Sequence, residues 1–571
     1  MKHISPRSLL VLLLVLGVVA ACGPAGAKRP STARPTPRAK VTRKVSPTGL
    51  LPTASSSGPL RLNISVGPPQ PAINATLEAL NSAGLSSVEQ PDDPDLQLTD
   101  SASRGGQLVF ERIFVPVDRF STLLDSISLD ELRAVWTGNG TSRKFSSIYP
   151  SQDIMDDLEA LLGPAGKAVK PQSSGDMADS VWNDPMGIGI VAFEALTPRL
   201  RALRIDGQSA LDNRLDPGKW ALATHLWLVP VTTRGGDALT TLTSFQPVTN
   251  RDLGKLTVLV MTGVTAMTRH TAEATENAHD DAYVARVVGF ELAAADITTT
   301  SNEVSFLDNC KPDIGEDVMT FCSKTGYMAS LDLAGIDLVG LTGNHLNDYG
   351  TQAFLNTLDL YKQKGIKYYG GGANEAEARA PLIITHHGNR LAFIGANQYG
   401  PESYESHAGD RVTAWAGPDS PGAARFSRSQ MVSDIQALRS QADVVFAEVQ
   451  HTEFDDNGNY QIRPLPEQVA DFRAISAAGA DVVTGIQSHT PQAVEFRGDG
   501  LILYGLGNIF FDQVYSWAVK TGLTARHTIY DGRLLNTELL VTEIDPDRQP
   551  RWATPEERVT ALTTVFKASG W

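Results

Sequence analysis

Thr342-Gly343-Asn344-His345-Leu346-Asn347-Asp348-Tyr349-Gly350 follows directly on the short, mostly apolar run Ile336 to Leu341. A run of that kind closed by Gly and Asn reads as a buried strand ending in a polar loop. The arrangement recurs downstream: Val444 to Val449 leads into Gln450-His451, and Val482 to Thr484 leads into Gly485-Ile486-Gln487-Ser488-His489. Upstream, Leu256 to Met261 leads to Gly263-Val264 and Arg269, and Ser301-Asn302-Glu303 supplies a carboxylate. Leu391 to Ile394 and Ile502 to Tyr504 add two further strands, and Phe354 to Gln363 has helical spacing. Strands that alternate with helices, several of them presenting a polar residue at one end, predict a layered α/β fold with its site at the strand termini.

This order of motifs resembles the CapA family of poly-γ-glutamate capsule biosynthesis proteins, whose domain is a calcineurin-like metallophosphatase α/β sandwich. The family pattern runs from a strand with Gly-Asp and a following Arg, through Asn-Leu-Glu, Asn-Asn-His-x-x-Asp-x-Gly and a His-Trp-Gly-type loop, to Gly-x-His-x-His and Ser-Leu-Gly-Asn-Phe. The counterparts here are Gly263 with Arg269, Asn302-Glu303, Asn344-His345 with Asp348 and Gly350, His451, His489, and Gly507-Asn508. The resemblance covers residues 254–553. It implies metal ligands at Glu303, Asn344, His451, Gln487 and His489, and a proton-donating or charge-stabilising role for His345.

Two positions depart from that pattern. Val264 stands where the family has aspartate, and Gln487 stands where it has the first histidine of the final pair. Valine binds no metal and an amide is a weak neutral ligand, so the implied divalent ion (zinc, manganese or iron) is expected to be held singly or not at all. Whether Asp308 or Glu448 compensates for the missing aspartate is left open. The resemblance implies synthesis, transport or attachment of poly-γ-glutamate or another anionic polymer; the alternative is a noncatalytic binding lipoprotein with a vestigial metal pocket. Each histidine taken alone reads as a hydrogen-bonded structural residue. It is their ordered recurrence at strand ends that points to a site.

The rest of the chain sets the context. Lys2 and Arg7 precede the apolar run Leu9 to Ala20, which ends in Val19-Ala20-Ala21-Cys22-Gly23. This resembles a bacterial lipoprotein signal, residues 1–21, with Cys22 as the acylated residue and the mature chain held at the extracytoplasmic face of the membrane. Residues 22–59 are rich in Pro, Ser, Thr, Lys and Arg without an acidic residue, and are expected to form a disordered basic tether. Export makes Cys310 and Cys322 the natural disulfide, worth roughly 2–3 kcal/mol for so short a loop.

Residues 60–247 read as a separate α/β unit: Leu108-Val109-Phe110, Ile113 to Val117 and Ile188 to Val191 are strand-like, and Leu129 to Val135 is helical behind a cap at Ser128. The Ile113-to-Val117 run followed by Ile127 to Gly138 resembles phosphate-binding-type periplasmic solute-binding proteins. A small oxyanion is the ligand that this second resemblance implies. Residues 554–571 are expected to be a C-terminal tail. The formal charge of −15 in 571 residues argues against a nucleic-acid partner, which needs clustered cations on a folded face.

Overall fold

Between Leu256 and Trp552 the strands assemble into two facing sheets. The first has the order Lys367–Tyr369, Leu338–Gly340, Ile297–Asn302, Leu256–Thr265, Thr521–Tyr530, Arg533–Ile544, Pro550–Trp552, with Asn508–Phe510 added beside the end of Leu256–Thr265. The second has the order Leu382–His386, Asn389–Asn397, Val444–Gln450, Val482–Ile486, Gly500–Leu503, Val494–Arg497. Lys367–Tyr369 through Leu256–Thr265 in the first sheet and Asn389–Asn397 through Gly500–Leu503 in the second run parallel, so their carboxyl ends gather at one rim. This computed structural model describes residues 58–571 apart from 65–69, 102–104, 243–245, 316–318 and 453–459.

Side-chain parity explains the layers. Leu259 and Met261 from one sheet meet Leu391, Phe393, Val444, Phe446 and Val482 from the other in a single core between the sheets. Val260 and Val339, pointing the opposite way, are covered by Phe354, Leu358 and Tyr361 of helix Thr351–Lys364 and by Met328 and Leu331. Val445, Ala447 and Val449 are covered by helices Arg428–Leu438 and Pro466–Ala477. A strand buried on both faces needs apolar residues at every position, hence the near-continuous hydrophobic runs in the sequence. The result is helix, sheet, sheet, helix.

The chain before Leu256 forms a third, mixed sheet centred on Gln107–Arg119, one thirteen-residue strand rather than the two shorter runs that the sequence suggests. Glu111-Arg112, which looks like a break, stays in register because Arg112 pairs with Asp153 and Asp157 while Glu111 accepts from Thr249. The expected helix forms at Leu129–Thr137; the Ser128 hydroxyl accepts from Glu131 N at 3.1 Å, and Gly138 ends the helix at φ +75°. That conformation favours glycine because no Cβ clashes there.

This sheet packs directly against the sandwich, and the described residues from 58 onward belong to one compact unit. Leu256, Tyr530 and Leu535 enter the core of this third sheet, and Phe120 enters the core of the sandwich. Asn536 Nδ2 donates to Leu200 O at 2.5 Å, and a guanidinium nitrogen of Arg533 donates to Glu194 O at 2.6 Å. Residues 555–568, read as part of a tail, form a helix instead. Its stripe of Ala561, Leu562, Val565 and Phe566 is buried against Phe120, and Thr554 with Glu557 closes its first turn as a capping box. The expected signal segment, Cys22 and the tether lie outside the described residues. Among the described residues no helix is long and apolar enough to cross a membrane.

Candidate functional site

At the gathered rim, Glu303, Asn344, Gln450 and Gln487 are 2%, 7%, 0% and 5% exposed. The parity of the Val444–Gln450 strand decides which of its last residues faces them. Val444 and Phe446 point between the sheets, so Glu448 and Gln450 do too, whereas Val445, Ala447 and Val449 point toward the helices. Gln450 Nε2 accordingly reaches Asn344 Oδ1 at 2.9 Å and Glu303 Oε1 at 3.2 Å, and also donates to Gln487 Oε1.

His451 follows the other parity. Its Nε2 lies 3.0 Å from Asp471 Oδ2 on helix Pro466–Ala477, its ring packs edge-on to Phe472, and Arg428 holds the other oxygen of Asp471. His451 therefore lies on the opposite face of its strand from Gln450, with Nε2 on a carboxylate of the helical side, and does not share the cluster of Glu303, Asn344 and Gln487. The period of two could have shown that Gln450 and His451 face opposite ways, but in a run buried on both faces it does not show which of them faces the other sheet.

The orientation of the Gln450 amide is fixed by its neighbours. Asn397 Oδ1 accepts from Gly400 N at 2.7 Å and from Trp415 Nε1 at 3.1 Å, and both of those groups can only donate. Asn397 Nδ2 must then face Thr342 O, at 2.7 Å, and Gln450 Oε1. With its oxygen so engaged, Gln450 turns its NH₂ toward Glu303, Asn344 and Gln487.

Carboxylates in this region are few. Burial pushes the Glu303 carboxyl up to about 7, the nearby His345 working against that and Asp348 and Glu448 adding to it. Burial also raises Glu448, whose oxygens accept from Thr342 Oγ1 at 2.8 Å and Tyr369 OH at 2.9 Å. A Cβ on Gly340 would lie 2.3 Å from Glu448 Oε1, so the neighbouring strand passes there only as glycine. Asp308 is exposed and Glu448 is already engaged, so neither stands in for the aspartate absent at Val264. Val264 is buried, with its N–H on Gly507 O at 2.9 Å.

Beside this amide cluster lies a second group of side chains. Arg269, at φ +46°, sets its guanidinium 4.9 Å from the Phe321 ring and 5.3 Å from the Phe511 ring, and donates to Asp512 Oδ1 at 2.5 Å. The His345 ring is 4.4 Å from Phe321, and the His489 ring is stacked 5.1 Å from Phe511. His345 Nδ1 lies 2.7 Å from Asp348 Oδ2. Burial disfavours the imidazolium, but Asp348 outweighs that and the His345 pKa is raised above its ordinary 6.5.

His489 behaves differently. Asn508 Nδ2 donates to Val519 O at 2.9 Å, so Asn508 Oδ1 is the acceptor for His489 Nδ1–H at 2.7 Å. Burial depresses this imidazole to about 4, leaving a neutral ring with a lone pair on Nε2. Gln487 at φ +92° and His489 at φ +46° flank Ser488 in backbone that few non-glycine residues adopt. Local strain of this sort is characteristic of sites that the surrounding fold holds in place.

The predicted site residues thus divide. Glu303, Asn344 and Gln487 share one amide donor, His345 and His489 flank Arg269, and His451 stands apart. Cys310 and Cys322 form the expected disulfide, with Cα atoms 6.0 Å apart, and Cys322 follows directly on Phe321, the wall of His345. The donor set does not fit a metal: the three oxygens that face one another are bound to an N–H donor. Among the described residues no group of three or more His, Cys, Asp or Glu side chains is placed to hold an ion.

Two facing sheets between helices, with loops from the parallel strand ends forming the site, define a metallophosphatase-like α/β sandwich. Residues 258–513 match the family described as bacterial capsule synthesis protein PGA_cap. The chain is similar to the capsule biosynthesis protein CapA of Bacillus anthracis, 27% identical over 287 residues, covering 49% of this chain and 66% of that one. It is similar also to the PGA biosynthesis protein CapA of Bacillus subtilis strain 168, 25% identical over 191 residues, covering 33% and 46%. Both matches span less than two thirds of the relative's own length. Among solved structures, a hypothetical protein from Thermus thermophilus aligns with 50% of this chain and 99% of its own at 14% identity and TM-score 0.30. An ABC-type phosphate transport receptor from Vibrio cholerae aligns with 33% of this chain and 94% of its own at 9% identity and TM-score 0.26. No ligand is carried over from either.

Proposed function

We propose that this chain is a lipid-anchored, extracytoplasmic component of capsule-polymer assembly that holds poly-γ-glutamate, or another polycarboxylate, rather than cutting it. The match of residues 258–513 to capsule synthesis proteins supports the process, and the names of the similar relatives support the polymer. The observation that carries the holding role is the triad of Arg269, His345 and His489 around Phe321 and Phe511. Arg269 and His345 are donors suited to a side-chain carboxylate, while the lone pair on His489 Nε2 is an acceptor suited to an amide N–H. A polymer of amide-linked carboxylates presents both groups at each repeat.

A molecule of net charge −15 repels a polyanion at long range, so the donors must act locally. Asp512 and Asp348 already neutralise part of the positive charge, which makes the expected affinity modest and strongly salt-sensitive. The lipid anchor at Cys22 supplies the membrane partner in this reading, and Cys22→Ser should release the protein from membranes. For the polymer, the test is retention of residues 52–571 on immobilised poly-γ-glutamate, with the flow-through analysed for shortened chains. Retention that falls on Arg269→Ala and with added salt, with no shortened product, is the expected result. Equal retention of wild type and variant, or accumulation of short γ-glutamyl products, would overturn it.

A further inference from the structure

We infer that the centre at the strand ends is metal-independent, because the Gln450 side-chain amide stands among the oxygens a cation would need and cross-links them. The inference rests on the donor set and does not depend on the polymer reading. Three independent features carry it. The first is orientation: Gly400 N–H and Trp415 Nε1–H fix Asn397, Asn397 fixes Gln450, and the Gln450 NH₂ therefore faces Glu303 Oε1, Asn344 Oδ1 and Gln487 Oε1. The two hydrogens of this NH₂ are shared among the three oxygens, and a cation brought near would meet the partial positive charge of the same group.

The second feature is the chemistry of what remains. Val264 supplies no donor atom, and His451 is turned away onto Asp471. Within the described amide cluster an ion would find one carboxyl and two neutral amides, a set poor in charge and basicity for zinc and short of the octahedral oxygens that manganese prefers. The third is closure. Gln450 is fully buried and hydrogen-bonded at both ends, so displacing it costs Asn397 Nδ2 one of its two acceptors as well as freeing the three oxygens. Loss of a fully satisfied buried network costs more than any one of its bonds.

In this centre the glutamine does the structural work of a bridging ion: it ties the Ile297–Asn302, Leu338–Gly340 and Val482–Ile486 strand ends to its own strand. The fold keeps its rim in place without a metal. That separates two things usually coupled in such sites, the geometry of the loops and the activation of a water molecule.

The experiment is elemental analysis of residues 52–571, purified from medium supplemented with manganese, zinc and iron and then dialysed, together with thermal melts in the presence of each ion and of a chelator. The expected result is substoichiometric metal, no rise in Tm with any ion and no fall in Tm with chelator. Stoichiometric metal that survives dialysis, or a Tm that drops on chelation, overturns the inference. The variant combining Val264→Asp, Gln450→His and Gln487→His should gain bound metal and an ion-dependent rise in Tm. If it folds and still binds none, the claim that these three positions exclude the ion is wrong; if it does not fold, the wild-type measurements decide alone. A failure of polymer binding leaves all of these readouts unchanged.

Discussion

Gln450 Nε2 donates to Asn344 Oδ1 at 2.9 Å across 106 positions of sequence, joining the loops of two different sheets. The contact sits at the centre of the rim and sets the first expectation. Gln450→Leu removes the donor shared by three buried oxygens and one of the two acceptors of Asn397 Nδ2, the other, Thr342 O, remaining, at a cost of about 3 kcal/mol by urea unfolding. His451→Leu leaves Arg428 still paired with Asp471 and should cost about 1–2 kcal/mol. The reverse order of the two losses would show that position 451, not 450, anchors the rim.

Polymer retention should depend on pH with a sign set by His345. Its pKa is raised above 6.5 because Asp348 outweighs the burial penalty, so the charged ring is fully present below 6.5 and is lost as pH rises through the higher folded value. Retention on poly-γ-glutamate should therefore fall with rising pH above 6.5. Asp348→Asn should move that fall to lower pH, and a profile unchanged by the substitution would remove His345 from the contact.

Removal of the Cys310–Cys322 bridge by paired Cys→Ser substitution should lower stability by about 2–3 kcal/mol, given the short loop it closes. Because Cys322 is bonded to Phe321, the change should also loosen the ring against which Arg269 and His345 pack. Retention should weaken alongside stability, and the measurement is a pair of denaturation curves with the column assay repeated on the folded variant.

The C-terminal helix should prove integral to the sandwich. Phe566→Ala empties a buried position beside Phe120 and Trp571 and should cost about 3–5 kcal/mol. A loss within a few tenths of a kcal/mol of zero, read from chemical denaturation, would mark the helix as a peripheral addition.

Acid should loosen the same helix from its first turn. The bond from Arg551 holds the Glu557 carboxyl at about 2, below its ordinary 4.5, so its contribution is present above 4.5 and lost as pH falls from 4.5 toward 2. The Glu557 side chain is 29% exposed, and solvent screening keeps the effect small. Glu557→Gln should flatten the dependence of Tm on pH across that window, and an unchanged slope would count against the capping box as its source.

The sequence by itself determined the architecture of the second half. Doubly buried strands demand apolar runs, and a layered α/β arrangement satisfies them, so the strands beginning at Leu256, Val444 and Val482 and the polar loops after them were legible, their ends falling one to four residues further on than the apolar runs suggest. The helix behind Ser128 and the Cys310–Cys322 bridge were legible for equally local reasons, a cap hydroxyl and a short spacing. The tertiary structure alone decided which polar side chains meet. His451 was the chemically attractive residue, but a strand turns successive side chains to opposite faces, and only the packing of Val445, Ala447 and Val449 under the helices shows which face is which. The burial of helix 555–568 and the pairing of Gln450 with Glu303, Asn344 and Gln487 likewise depend on contacts between segments far apart in the chain, where no local pattern records the partner.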